Sequence, residues 1–238
     1  MAQKILLFLV IGLFIHCDVQ SQHWGTIKGE GKVVTQEIKL DPLHGFSLSF
    51  HGDVIVTQGS TQKIVIEGQQ NIIDNIKRDV RHGHWNIEFD KNVKDAEPVK
   101  VTITLSTLDE IGLGGSGTIT STNRFTGLND LEISMSGSGR VNFSFEAKNT
   151  EFNLSGSGKS TLDGSTGRLE INISGSGDVT AKDLVASECQ VSISGSGDAS
   201  VNVNGDLRTA ISGSGDVTYK GNASVNASIS GSGTIKKM

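Results

Sequence analysis

From residue 111 onward, apolar and polar residues alternate in short runs that are separated by the tripeptide Gly-Ser-Gly. The residue two positions before each tripeptide is always apolar, and serine or asparagine often occupies the positions between the apolar ones. Alternation with a period of two is typical of strands that bury one face. No apolar period of 3.6 residues is present, so the pattern predicts short β-strands and not helices. The apolar residues of this column are Leu113, Met135, Leu154, Ile173, Ile193, Ile211 and Ile229.

The Gly-Ser-Gly tripeptide recurs at intervals of 18 to 22 residues, which is the repeat length of a solenoid. We therefore predict an all-β fold, a parallel β-helix in which each strand pairs with its copy in the next coil. Glycine at a corner permits a positive φ and lets adjacent backbones stack closely. The predicted corner residues are Gly115, Gly117, Gly137, Gly139, Gly156, Gly158, Gly175, Gly177, Gly195, Gly197, Gly213, Gly215, Gly231 and Gly233.

Residues 22–110 are also rich in strand patterns, but they do not follow this repeat. Residues 71–80 are compatible with a short helix or with one irregular crossing. A solenoid needs a cover for its first strand edge. We therefore predict that residues 22–110 form irregular first coils or a β-rich cap, continuous with the regular coils of residues 111–238. The alternating segments are FSLSF (46–50), DVIVT (53–57), KIVIE (63–67), WNIEF (85–89) and VKVTITL (99–105).

The first 21 residues have the pattern of a secretory signal peptide, because Lys4 precedes an apolar run over residues 5–15. We predict export to the periplasm, the outer-membrane region or the cell exterior. A lipid anchor at Cys17 is the competing interpretation, and Ile15 and His16 disfavour it because a lipobox has small residues there. Removal of this segment leaves Cys189 as the remaining cysteine, which excludes an internal disulfide.

Charge and hydropathy exclude two classes of partner. The formal net charge is −5, which does not favour nucleic acid. After the signal segment, no stretch is apolar enough to span a membrane.

Several short motifs stand out beside the serial Gly-Ser-Gly corners, namely Gly45-Phe46, Gly52-Asp53-Val54, residues 56–59 and Asn71-Ile72-Ile73-Asp74. Together these features resemble a known family, the head GIN domain of autotransporter adhesins, and the resemblance covers about residues 28–238. It implies a right-handed β-helix, similar in shape to pectate-lyase-like proteins but without their catalytic residues. It also implies a role in cell adhesion.

Two motifs suggest ligands. The stretch from Gly156 to Ser160 is similar to a phosphate-binding loop, but Asn153 stands where that motif requires glycine, so we interpret it as another corner. Three aspartates, Asp178, Asp198 and Asp216, directly follow Gly-Ser-Gly and are expected to stack on one edge. Calcium would relieve their mutual repulsion. The known calcium-binding β-roll has shorter repeats, so we expect solvated turn residues and no metal.

The histidines and the remaining cysteine give no clear catalytic or metal set. His44, His51, His82 and His84 lie in the N-terminal part without the carboxylate or thiol spacing of a zinc site, so we expect surface polar residues. Cys189 falls in a column of leucines and is expected to be a buried, inert thiol.

Three functions are compatible with these features. We expect an exported, non-enzymatic scaffold or adhesion module without a cofactor, whose partner is a surface polysaccharide or a cell-surface protein, with self-association through the solenoid edges as a further option. A polysaccharide lyase or hydrolase is the first alternative, disfavoured because aromatic residues make up only 5% of the chain. A calcium-stabilised structural rod is the second.

Overall fold

The computed structural model describes residues 25–238, so the predicted signal peptide and Cys17 lie outside the described residues. Within this part, twenty strands and one short helix are present, and eighteen strands join in a single sheet that winds into a solenoid of about seven turns. The predicted all-β solenoid class is confirmed.

The N-terminal part contains the short strands and the helix. A helix of five residues forms over residues 70–74, at the start of the segment 71–80 for which the sequence left a short helix or an irregular crossing open. In chain order the elements are β1 (Thr26–Lys28), β2 (Val33–Ile38), β3 (Gly45–Leu48), β4 (Gly52–Gln58), β5 (Lys63–Gln69), α1 (Gln70–Asp74), β6 (Val80–Arg81), β7 (His84–Ile87), β8 (Asn92–Lys94) and β9 (Val99–Leu105).

The regular part contains longer strands that bend around the solenoid. Its elements are β10 (Glu110–Leu113), β11 (Thr118–Ser121), β12 (Phe125–Gly137), β13 (Arg140–Gly156), β14 (Lys159–Gly175), β15 (Asp178–Gly195), β16 (Ala199–Val203), β17 (Asp206–Gly213), β18 (Val217–Lys220), β19 (Ser224–Gly231) and β20 (Ile235–Lys237).

Equivalent residues of successive coils lie directly above one another. The strand β13 pairs in parallel with β14, and β14 with β15, in the register that the sequence alignment of the tripeptides predicts. The apolar residue two positions before each corner points inward, so Leu154, Ile173 and Ile193 are each 2% exposed. Repetition of the alternation therefore builds one continuous core along the solenoid axis.

The corners bring backbone atoms of adjacent coils into close contact. The first glycine of six corners has a φ between 123° and 133°, a region that favours glycine, whereas Gly115 does not. The second glycine leaves space for the preceding coil: a Cβ on Gly177 would lie 2.6 Å from the carbonyl oxygen of Gly158. Backbone hydrogen bonds close the corner, with Ser176 N–H donating to the Gly156 carbonyl over 2.9 Å.

The first coils do not stack in chain order. The coil formed by β3 and β4 has a neighbour on each side. On one side lies the first regular coil, formed by β10 and β11, and on the other side lie β7 and β9, which follow β4 in the chain. The antiparallel strands β5 and β2 then extend the sheet beyond β9. Helix α1 buries Ile72 and Ile73 at this end. A segment that follows β3 by about 40 residues therefore becomes its direct neighbour.

The last coil differs from the others in burial. Val225 and Ile229 of β19 occupy columns whose members in earlier coils are buried, yet they are 39% and 44% exposed. Each inner coil is covered on both sides, whereas among residues 25–238 β19 pairs with one other strand, β17.

Candidate functional site

The outer surface of one side of the solenoid carries regular rows of small polar side chains, and we call it the serine face. It is formed by β7, β3 and β10, by the C-terminal parts of β12 to β15, and by β17 and β19. Alternation along each strand sends the apolar residues to the core and the intervening polar residues to this surface. Parallel pairing without a register shift then aligns equivalent residues into rows, with neighbours about 4.8 Å apart.

Three rows of this face are well defined. The glutamate row consists of Glu110, Glu132, Glu151 and Glu170. The amide row comprises Ser47, Gly112, Ser134, Asn153 and Asn172. The serine row comprises Ser136, Ser155, Ser174, Ser194, Ser212 and Ser230.

Hydrogen bonds connect the rows to one another. Ser134 Oγ donates to Glu132 Oε1 over 3.0 Å. Asn153 Nδ2 donates to Glu151 Oε1 over 2.9 Å. Asn172 Nδ2 donates to Asn153 Oδ1 over 3.1 Å, along the row. The outer side chains therefore hold fixed orientations and present a preorganised polar surface.

A groove of about 500 Å³ runs over the amide and serine rows from β3 to β14. Gly112 and Gly114 form its floor where other coils have a side chain. A second groove, of about 520 Å³, follows the glutamate row and is lined by acidic residues together with Arg168. The first groove offers hydroxyl and amide groups among mostly apolar lining atoms, and the second adds negative charge.

The three aspartates considered for calcium stack in successive coils, because the residues that follow them pair in register. Asp198 Oδ1 accepts a hydrogen bond from the backbone N–H of Asp216 over 2.9 Å, and Asp216 Oδ1 accepts one from Thr234 N–H over 2.8 Å. Asp178 Oδ2 lies 3.2 Å from Lys159 Nζ. Within residues 25–238, no three His, Cys, Asp or Glu side chains converge closely enough to hold a metal ion.

The phosphate-loop candidate and the cysteine occupy structural positions. Lys159 pairs with the adjacent aspartate, and Ser160 points inward and is 2% exposed. Cys189 is 3% exposed, and burial raises the pKa of its thiol to about 12. A thiol with this pKa is almost entirely protonated at neutral pH, so it is a poor nucleophile.

The histidines are distributed over several polar contacts. His82 lies in the tight turn between β6 and β7 with a φ of 51°. His44 Nδ1 lies 2.8 Å from Asp109 Oδ2, and His51 Nδ1 lies 3.2 Å from Ser116 Oγ.

His84 makes the contact that sequence reasoning did not find. Its Nε2 is 2.8 Å from Ser47 Oγ, and its Nδ1 is 3.0 Å from Glu110 Oε2. Ser47 precedes His84 by 37 residues, and no local motif connects them. The only indication of this contact in the sequence was the presence of glycine at positions 45 and 112, in strands that otherwise alternate.

The fold and the rows of the serine face define the class of protein: a parallel β-solenoid repeat protein with an extended polar surface. More specifically, the chain belongs to the family described as "Putative auto-transporter adhesin, head GIN domain", whose model matches residues 44–223. The resemblance stated from the sequence is thereby confirmed. No curated protein matches the sequence.

Several solved structures share the fold. A "putative adhesin" from Bacteroides fragilis has a TM-score of 0.81 and 25% identity, and the match covers 89% of this chain and 100% of that one. A "putative lipid binding protein" from Parabacteroides distasonis has a TM-score of 0.74 and 25% identity, over 90% and 100% of the two chains. A "putative adhesin" from Parabacteroides merdae has a TM-score of 0.67 and 20% identity, over 90% and 99%.

The helix content bears on membrane insertion. Over residues 25–238, the chain contains no helix with the length and hydrophobicity that crossing a bilayer requires.

Proposed function

We propose that this protein is an exported adhesion module that binds a neutral surface polysaccharide along the groove of the serine face. The observation that carries the proposal is the continuity of this groove over five strands, β3, β10, β12, β13 and β14. Hydroxyl and amide side chains repeat there at the spacing of the strands, which suits a polymer whose own hydrogen-bonding groups repeat.

Charge and side-chain order support a neutral ligand. The glutamate row lies beside the groove, so an acidic polymer would be repelled along its whole length. The hydrogen bonds between Ser134, Asn153, Asn172 and the glutamates restrict these side chains before a ligand arrives. Less conformational entropy is then lost on binding.

Family membership and the signal-peptide pattern support the exported, adhesive setting of this proposal. The family is named for adhesins, and the structural neighbour from Bacteroides fragilis is described as a "putative adhesin". Binding in the groove requires no chemical step, so adhesion needs only the rows of side chains.

A glycan array, extended with cell-surface proteins, tests the proposal when it is combined with two tryptophan variants. Ser155→Trp places a large ring in the groove, on β13, whereas Ser212→Trp places the same ring in the same row outside it. We expect the wild type and Ser212→Trp to bind the same neutral glycan, and Ser155→Trp to bind it at least tenfold more weakly. Equal affinities for all three proteins, or binding of acidic glycans or proteins alone, would contradict the proposal.

A further inference from the structure

Three side chains on adjacent strands of the serine face form a chain of polar contacts. Ser47 of β3 donates its hydroxyl hydrogen to His84 Nε2 over 2.8 Å when the imidazole carries its proton on Nδ1. His84 Nδ1 lies 3.0 Å from Glu110 Oε2, a close charge contact without the geometry of a hydrogen bond. Serine, histidine and carboxylate in this order are the components of a nucleophilic triad.

Two glycines make these contacts possible. His84, Gly45 and Glu110 hold the same position in three successive strands, so the histidine reaches the glutamate only across Gly45. A Cβ on Gly45 would lie 2.8 Å from His84 Nδ1 and 3.1 Å from the Glu110 Cβ. Gly112 stands beside Ser47 in the next strand, and a Cβ there would overlap Ser47 Oγ. The absence of both side chains leaves the space that the three polar groups use.

The surrounding core holds the three strands in place. Each of the three polar residues has an apolar neighbour in sequence: Phe46 precedes Ser47, Trp85 follows His84, and Ile111 follows Glu110. These three apolar residues occupy one inward column and are 0% exposed. Trp85 Nε1 donates to the Lys77 carbonyl over 2.8 Å. A reactive group needs this kind of support, because loss of position by about 1 Å lowers rates strongly.

A substrate has access to the serine. Ser47 lines the groove at the end where Gly112 and Gly114 form the floor, and the His84 side chain is 18% exposed. Asn86 is the residue of β7 in register with Ser47, on the same outer face.

We propose that Ser47, His84 and Glu110 form an esterase site that hydrolyses O-acyl esters entering the groove. Ser47 Oγ attacks the carbonyl carbon while its proton passes to His84 Nε2. The ester C–O bond breaks, and the alcohol leaves with that proton. Water then attacks the acyl-Ser47 ester, gives its proton to His84, and releases the carboxylic acid and the free hydroxyl. Glu110 is a positioning residue that stabilises the imidazolium.

This activity is independent of the proposed adhesion. Polysaccharide binding is tested at Ser155 on β13, whereas the esterase site lies at the β3 end of the groove. Either proposal can fail without the other, and the two experiments measure different events.

A fluorophosphonate probe, which forms a covalent bond with activated serines, tests the site directly. We expect peptide mass spectrometry of the labelled wild-type chain to locate the probe on Ser47, with first-order kinetics. Ser47→Ala removes this label, and His84→Gln slows labelling by about a hundredfold, the contribution typical of a general base. Ser212→Ala is the matched control, because it removes a serine of the serine row outside the groove, and labelling of Ser47 stays unchanged.

The positioning role of Glu110 has its own measurement. The pH profile of labelling is expected to change in Glu110→Gln, with a rate at least tenfold lower, and Glu110→Asp is expected to recover part of that rate. Circular dichroism confirms that each variant is folded. A folded wild-type chain in which Ser47 is labelled no faster than Ser136 overturns the proposal, and so does a folded His84→Gln variant that reacts at the wild-type rate.

Discussion

At the scale of single residues, a position that points into the core makes a side chain unreactive. Cys189 occupies an inward column between Leu169 and Leu207, and all three are 3% exposed or less. Burial disfavours the charged thiolate and so raises the pKa of the thiol from 9.0 to about 12. The outward positions of the same strands, by contrast, carry the polar rows.

We predict that Cys189 of the folded chain resists alkylation by iodoacetamide at pH 8. The raised pKa lowers the thiolate fraction by about a thousandfold relative to the unfolded chain, and burial also blocks access. The stabilising contribution of the neutral thiol is present below about pH 9 and is lost as the pH rises towards 12. Peptide mass spectrometry, which separates Cys189 from Cys17, measures the rates with and without denaturant. Similar rates in the two conditions would disprove burial of the thiol.

At the scale of the element, one stacked column combines charge with hydrogen bonding. Asp198 and Asp216 accept backbone N–H groups from the following coil and so join successive coils. Asp178 is paired with Lys159 at the other end of the column. These contacts use carboxylate oxygens that a calcium ion would need.

We predict that calcium leaves the melting temperature unchanged within about 1 °C relative to a chelator. The carboxylates project from different coils about 4.8 Å apart and do not converge on one point. Differential scanning calorimetry in millimolar calcium and in EGTA measures the effect. A rise of several degrees that Asp198→Asn abolishes would instead support a calcium-stabilised rod.

The same column predicts a difference between two substitutions. Asp198→Asn retains an oxygen acceptor for the N–H of Asp216, whereas Asp198→Ala removes it. Loss of this hydrogen bond is expected to lower the free energy of unfolding by about 1 kcal/mol in the alanine variant, and by less in the asparagine variant. Urea denaturation of both proteins gives the comparison, and equal losses would show that the hydrogen bond contributes nothing.

At the scale of the whole molecule, each coil is stabilised by the coils on either side. The inward columns are fully buried through the middle of the solenoid and exposed in the last coil. In such repeat proteins, stability is close to a sum of terms from neighbouring repeats. The same substitution is therefore expected to have different effects in different coils.

We predict that Val191→Ala destabilises the protein far more than Val225→Ala. Val191 is 0% exposed between two coils, and its loss is expected to cost about 2–3 kcal/mol of unfolding free energy. Val225 is 39% exposed, and its loss is expected to cost less than about 1 kcal/mol. Denaturant unfolding, followed by hydrogen exchange to locate the affected coils, measures both. Equal effects would contradict the exposure of the last coil.

The sequence by itself determined the solenoid, because each coil contacts near copies of itself. Leu154, Ile173 and Ile193 have equivalent positions in their repeats, so alternation and period together indicate both the buried face and the register. The rows of the serine face follow from the same repetition, and a residue's row can be predicted by counting from the nearest corner.

Only the tertiary structure decided the order of the first coils and the contacts that depend on it. The segment from His84 to Leu105 stacks outside the earlier coil of Gly45 to Gln58, and no repeat or local motif encodes this reversal. His84 therefore meets Ser47 and Glu110 through pairing between strands that are distant in sequence. The physical reason is that period and alternation describe which face a residue occupies, whereas long-range strand pairing decides which faces become neighbours.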